Sequence, residues 1–286
     1  MNAPLLRLGR IDYLNVQPFF AALEENAPGG PTLSYQRGHP AELNRALQNK
    51  TLDLSPSSSF EYLQHAEHYA LLPHASVSAR GPVQSVLLVS PVPLTDLAQE
   101  NEVLLTSASA SSVALLKILW QYAWNLPQPK WGIIAPGQGF ASGKPFLEIG
   151  DAALRLFLEP PPGWYLYDLA EAWHAFTGLP FVFALWIVRK DLAPPQRKAL
   201  VHVAQTISGV SNNWPGPLER LLHATSRPAW LSSEALRAYW NNLFPCLGPS
   251  EQAGLLLFAK YATELGLLPG APGLTWALSP DEAHPQ

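Results

Sequence analysis

Two short serine-rich stretches hold the residues of this chain best suited to binding chemistry: SASASS at 107–112 and PSSS at 56–59. SASASS lies between a run with strand character and a helical one, and PSSS has the same setting. Free backbone N–H groups at the helix start join small hydroxyls there, and an anion is favoured. A carboxylate fits such turns. The competing use of SASASS is structural, N-capping of the following helix by Ser111 or Ser112.

Other chemistries fail on residue identity. In PGQGFASGKP at 136–145, Gln138 stands where a phosphate loop needs its first glycine, and Pro145 where it needs a magnesium-holding hydroxyl. Gly137 and Gly139 are followed by Ser142 instead of a third glycine, which breaks the dinucleotide fingerprint and leaves turn glycines. Glu61, His65 and His68 share helical spacing, but no partner motif such as His-Glu-x-x-His occurs, so a solvated helix face is expected. No Gly-x-Ser-x-Gly elbow occurs either, and a hydrolytic triad is unsupported.

The elements that must position the serine turns read as α/β. Residues 5–14 form an expected first strand, and Pro18 followed by FFAALEE opens a helix after a turn at Asn15. A strand at 32–36 leads into AELNRALQNK, whose Leu43, Ala46 and Leu47 share a helical face. LDLSPSSS then gives a short strand, and a helix is expected over 60–68. QSVLLVS reads as a buried strand at the first crossing between two lobes.

Beyond Pro91 the alternation restarts with EVLLT, the SASASS turn and the helix VALLKILWQYAW. Short strands follow at WGIIA, FLEIG and WYLYDL, with Asp151 and Asp168 as expected helix caps. Gly178 and Pro180 end the second capped helix, and FVFALWIVRK reads as a long strand returning to the first lobe. From Pro195 the chain is nearly all helical, expected to pack on the first lobe, and PDEAHPQ reads as a frayed tail. The expected architecture is two α/β lobes around a cleft, with 1–89 and 186–286 in the first and 90–185 in the second. Crossing strands near 85–90 and 183–188 are the expected hinge.

Composition narrows the function classes. The 286 residues are 48% hydrophobic and 14% charged with a formal net charge of -4, and no Lys/Arg cluster exists to hold nucleic acid. Cys246 is the only cysteine, which excludes a disulfide within the chain and a cysteine-built zinc site; no metal is expected. Arg7, Arg10 and Asp12 interrupt the apolar N-terminal stretch, and LPFVFALWIV stops at Arg189 and Lys190, short of a membrane span. A cytoplasmic protein acting on a small molecule is expected, its oligomeric state open.

GRIDYLN at 9–15 resembles the end of the first strand in the chorismate dehydratases of menaquinone biosynthesis. LDLSPSSSFEYL, GPVQSVLLVS, SSVALLKILW, IGDAAL and YDLAEAWHAFTGLPFVFALWIVRK follow in the family's order, so the resemblance covers about residues 7–190. It implies a two-lobed, periplasmic-binding-protein-like type II α/β fold with a helical C-terminal segment, and no cofactor. A sister lyase, the dihydroxynaphthoate synthase, shares that fold, but its Ser-Pro-Cys-Pro-Asn-Asp-like segment is absent and no histidine lies near Ile149, Gly150 and Asp151. A non-catalytic solute-binding protein is the other alternative. Ala110 departs from the family, which would carry a basic residue in that turn.

The activity the resemblance implies is loss of water from chorismate, giving 3-[(1-carboxyvinyl)oxy]benzoate. The hydroxyl on ring carbon 4 is trans to the enolpyruvyl ether on carbon 3, so the carbon 3 proton shares the hydroxyl's face and the elimination is syn. The ring carboxylate acidifies that proton through the ring double bond; a dienolate then expels hydroxide as the ring aromatises. Such a site has to hold a dianion, place a base at carbon 3 and donate to the leaving oxygen. By match to family positions in the cleft, Asn15 and Ser85 are the expected catalytic residues. The substrate's own enolpyruvyl carboxylate is the expected base, because an amide is too weak. Ser57, Ser58, Ser107, Ser111 and Ser112 are then expected to bind carboxylates, and Asp151 to hold a loop or the leaving hydroxyl.

Overall fold

The computed structural model describes residues 6–27, 30–99, 102–216, 218–225 and 227–283. Leu6 and Leu8 are fully buried in β1 (Leu6–Arg10), which ends before the expected residue 14 because the chain turns there: Val16 N donates to the Tyr13 carbonyl at 3.2 Å. Then come α1 (Gln17–Glu25), β2 (Leu33–Arg37), α2 (Pro40–Gln48), β3 (Leu54–Ser58) and α3 (Ser59–Gln64). Proline opens α1 and α2, where its missing N–H would have had no helical partner. Leu43, Ala46 and Leu47 are the buried face of α2, as their spacing requires.

Sequence reasoning missed β4 (Tyr69–Ala79), because Pro73 interrupts it. Its pairing slips from Leu185↔Ser76 to Ile187↔Leu71, so Pro73 and His74, the latter at φ 60°, sit in a bulge with the ladder intact on either side.

The chain continues through β5 (Val86–Ser90), β6 (Glu102–Thr106), α4 (Ala110–Ile118), a π-helical turn at Leu119–Ala123, β7 (Lys130–Ile134) and β8 (Phe146–Ile149). Next are α5 (Gly150–Leu158), β9 (Tyr165–Asp168), α6 (Leu169–Thr177) and β10 (Phe181–Arg189). Asp168 caps α6 as expected, accepting from Ala170 N at 2.9 Å and Glu171 N at 3.1 Å. Gly178 ends it, at a φ of 70° that only glycine adopts without strain.

Two sheets of five strands result, ordered β2-β1-β3-β10-β4 and β7-β6-β8-β5-β9. Both follow one plan: three parallel strands, then one antiparallel to both its neighbours, β10 in the first sheet and β5 in the second. This shifts the expected divisions at 89/90 and 185/186. β5 belongs wholly to the second sheet and β10 wholly to the first, so neither is the expected crossing strand. A strand paired along one sheet cannot also span the gap, and the crossings are short connectors at 80–85 and 178–180.

Asp53 ties the first sheet together. Fully buried, it accepts from Arg7 N at 2.9 Å, Arg7 Nη2 at 2.6 Å and Arg189 Nη2 at 2.9 Å, joining the strands β1 and β10 to the start of β3.

The helices α7 (Pro194–Asn212), α8 (Leu218–Ala224), α9 (Ser233–Asn241) and α10 (Pro249–Glu264) follow. α7 packs on α1 and β4 of the first lobe, but α10 reaches both lobes: it touches β10, and its Tyr261 ring lies 4.8 Å from Tyr122 and 6.2 Å from Trp173. Gly254 permits that seat, since a Cβ there would collide with the Pro180 carbonyl. The tail is ordered further than expected: Pro280–Ala283 forms α11, whose Ala283 is buried, while residues 284–286 lie outside the described residues. No helix among the described residues is long and apolar enough to cross a membrane.

Candidate active site

The carboxyl ends of β1, β3, β6 and β8 meet between the lobes, the place where open α/β sheets bind ligands. They surround a cleft of about 970 Å³. Asn15 lines it just past β1, Ser57 and Ser58 at the end of β3, Ser85 on the first connector, and Ser107 and Ser112 around the start of α4. No Asp, Glu, Lys, Arg or His belongs to the lining among the described residues. Positive potential comes instead from backbone: α1, α2, α4 and α5 all start at the cleft, through Val16, Pro40, Ala110 and Gly150.

Three atoms of lining residues are orphaned. Asn15 Oδ1, Asn44 Oδ1 and Ser57 Oγ are buried without a hydrogen-bond partner among the described residues. A buried polar atom left unpaired costs about 1–3 kcal/mol, so these three mark where ligand atoms would bond.

The backbone around Asn15 and Ser85 is held on several sides. The carbonyl of Leu14 accepts from Trp240 Nε1 at 2.8 Å, and the Leu14 amide is held by the Asp151 carboxyl. Ser85 O accepts from Gly150 N at 2.8 Å, and Ser85 Oγ from the Tyr239 hydroxyl at 3.0 Å. Just before it, Gln84 takes a left-handed φ of 64° and its amide donates to Asp168 Oδ2 at 2.6 Å. Burial pushes the Asp168 carboxyl up, and four backbone amides, those of Gln84, Glu171, Val83 and Ala170, oppose the rise. Tyr13, also in the lining, has its phenol raised by burial and then by the carboxylates of Asp151 and Glu148.

Three expected roles change. Ser111 is not in the lining: it is fully buried, with its Oγ at 2.7 Å from Ser58 Oγ and 2.9 Å from Ser59 Oγ, accepting from Phe60 N at 3.0 Å and donating toward the Phe183 carbonyl at 3.2 Å. Its hydrogen-bonding capacity is spent clasping α4 to the first lobe. The cap of α4 is Ser109, whose Oγ accepts from Ser112 N at 3.2 Å, so neither Ser111 nor Ser112 caps. Asp151 is not the cap of α5, because that helix already starts at Gly150, and it lies beside the cleft outside its lining. Burial raises its carboxyl while the Leu14 amide opposes.

Glu61 leaves the expected solvated face. It is 7% exposed and accepts from Asn44 Nδ2, Gln48 Nε2 and the Tyr69 hydroxyl at 3.2, 3.0 and 3.1 Å, which closes α2 onto α3. Among the described residues no three His, Cys, Asp or Glu side chains gather as a metal site. Sequence reasoning missed Tyr239 and Trp240, which lie in a helical third with no local pattern to mark them; Tyr13 could have been noticed, since it sits within GRIDYLN.

The cleft's architecture is shared with solved structures. A protein of Archaeoglobus fulgidus matches with a TM-score of 0.69 and 15% identity, over 92% of this chain and 98% of that one. The periplasmic aliphatic sulphonate binding protein of Escherichia coli matches at 0.65 and 15%, over 93% and 89%. At these identities the likeness shows the fold, that of periplasmic binding proteins. Sequence relatives are nearer: the chorismate dehydratase of Thermus thermophilus is 36% identical over 248 residues, 82% of this chain and 86% of that protein. The chorismate dehydratase of Campylobacter jejuni is 32% identical over 179 residues, 62% of this chain and 64% of that protein. A family model described as menaquinone biosynthesis matches residues 6–264, from β1 to the end of α10 and so through every element that walls the cleft, and the chain therefore belongs to the menaquinone biosynthesis family.

Proposed function

We propose that this chain removes water from chorismate to give 3-[(1-carboxyvinyl)oxy]benzoate. The observation that carries the reading, beside the kinship, is a lining with orphaned amide and hydroxyl atoms and, among the described residues, no carboxylate, histidine or lysine to take a proton. An elimination in such a site draws its base from the substrate. The carbon 3 proton passes to the enolpyruvyl carboxylate, its electron pair enters the ring system, the bond to the carbon 4 oxygen breaks, and hydroxide leaves with that proton as water. No cofactor enters the balance.

Asn15 would orient the enolpyruvyl group and the leaving hydroxyl, and Ser85 would donate to that hydroxyl. Ser57, Ser58, Ser107 and Ser112, with the backbone N–H groups at the starts of α4 and α5, would bind the carboxylates; this meets the dianion with helix dipoles where Ala110 supplies no charge. We assign the protein to the cytoplasm as part of the same reading, to be checked by cell fractionation.

The test is incubation of the purified chain with chorismate, followed by ultraviolet absorbance and mass. Formation of an aromatic product lighter by one water supports the reading. Saturable binding with chorismate returned intact would replace it with a solute-binding role.

A further inference from the structure

We propose that Tyr239 is a positioning residue that fixes Ser85 as a one-way hydrogen-bond donor into the cleft. The proposal rests on the dehydratase reading. Tyr239 comes from α9, in the part of the chain that carries no motif, yet its hydroxyl donates to Ser85 Oγ at 3.0 Å in a fully buried contact. A phenol has a single proton and, removed from water, has to give it to an acceptor. With that lone pair of Ser85 occupied, the serine's own proton is left to turn toward the cleft that Ser85 lines.

Tyr239 keeps the proton that it donates. Burial raises the Tyr239 phenol, the bond to Ser85 opposes the rise, and the carboxylates of Asp151 and Asp168 raise it further, so the phenol stays protonated at working pH. Nor can Ser85 move away to escape it. Its carbonyl is bonded to Gly150 N, and the amide before it to Asp168, so the backbone is held and the freedom left is in the side-chain torsions. A serine that accepts from a buried phenol is also the stronger donor, because bonds in a chain polarise one another. The next residue, Trp240, grips the Leu14 carbonyl at 2.8 Å, so one turn of α9 reaches the supports of both Ser85 and Asn15.

The consequence is an effect on turnover carried through Ser85. Ser85→Ala should lower kcat by on the order of a hundredfold and Tyr239→Phe by about tenfold, with KM nearly unchanged in the latter. The double variant should be no slower than Ser85→Ala alone, because Tyr239 then has nothing to orient. Wild-type turnover of chorismate is the first measurement. Its absence overturns the dehydratase reading, whereas wild-type turnover with an unimpaired Tyr239→Phe, or with losses that multiply in the double variant, overturns only the role of Tyr239. Should Tyr239→Phe not fold, a polyfluorinated tyrosine placed at 239 serves instead. Its acidified phenol should add a basic limb to the pH profile of kcat, and an unchanged profile overturns the proposal.

Discussion

Asn15 sits where the chain leaves β1, with the preceding peptide gripped from both sides by Asp151 and Trp240 and its own Oδ1 unpartnered in the cleft wall. A side chain so supported is suited to orienting reacting atoms, an effect felt mostly in the transition state. Asn15→Ala should therefore lower kcat by on the order of a hundredfold or more with a much smaller change in KM, as steady-state kinetics on chorismate would register. Asn15→Asp should also be poor, because a third carboxylate would repel the dianion. Wild-type activity in Asn15→Asp would make a protein base at this position the better account.

At the scale of elements, the junction of β1, β3 and β10 depends on one buried carboxylate. Arg189 is only 9% exposed and would keep only the half-exposed Asp191, at 3.1 Å, as a carboxylate partner, so Asp53→Ala should cost about 3 kcal/mol in denaturant unfolding, the low end for breaking a buried pair. The pH dependence has a definite sign. Burial pushes the Asp53 carboxyl up, but the hydrogen bonds and charge of Arg7, with Arg189, bring it below the usual carboxylate value. A carboxyl lowered on folding stabilises fully above its unfolded value of about 3.9 and loses that contribution as pH falls through the lower, folded one. Melting temperatures of wild type and Asp53→Asn should thus converge as pH falls below about 4. A gap that stays constant into acid would refute this.

The whole molecule is two lobes joined by the connectors at 80–85 and 178–180 and touching across the cleft. Ser111 clasps one end of that contact and Asp151, from α5 in the second lobe, holds the Leu14 amide of the first. Ligand that bonds the helix starts of both lobes should favour their approach. Asp151→Ala should give a larger radius of gyration than wild type by small-angle scattering in the absence of ligand, and the reaction product should reduce it. Identical values for the two proteins, with and without product, would argue against closure by this contact.

Much of this was written locally in the chain. Apolar periodicity marked most strands and helices, proline and glycine marked several starts and stops, and the ordered segments from GRIDYLN to FVFALWIVRK carried the family resemblance. The serine turns, lying between strand and helix, pointed to the cleft that Ser57, Ser58, Ser107 and Ser112 line. Spacing encodes which residues share a face, but not what that face meets. Successive helical residues point about 100° apart, so of two neighbouring serines Ser112 lines the cleft while Ser111 is consumed in a clasp, a choice made by how α4 docks on α3 and β10. β4 was hidden because Pro73 breaks the pattern that its pairing with β10 overrides. Only the packing of α9 brings Tyr239 to Ser85, 154 residues away along the chain, since hydrogen bonds between distant segments leave no periodicity in sequence.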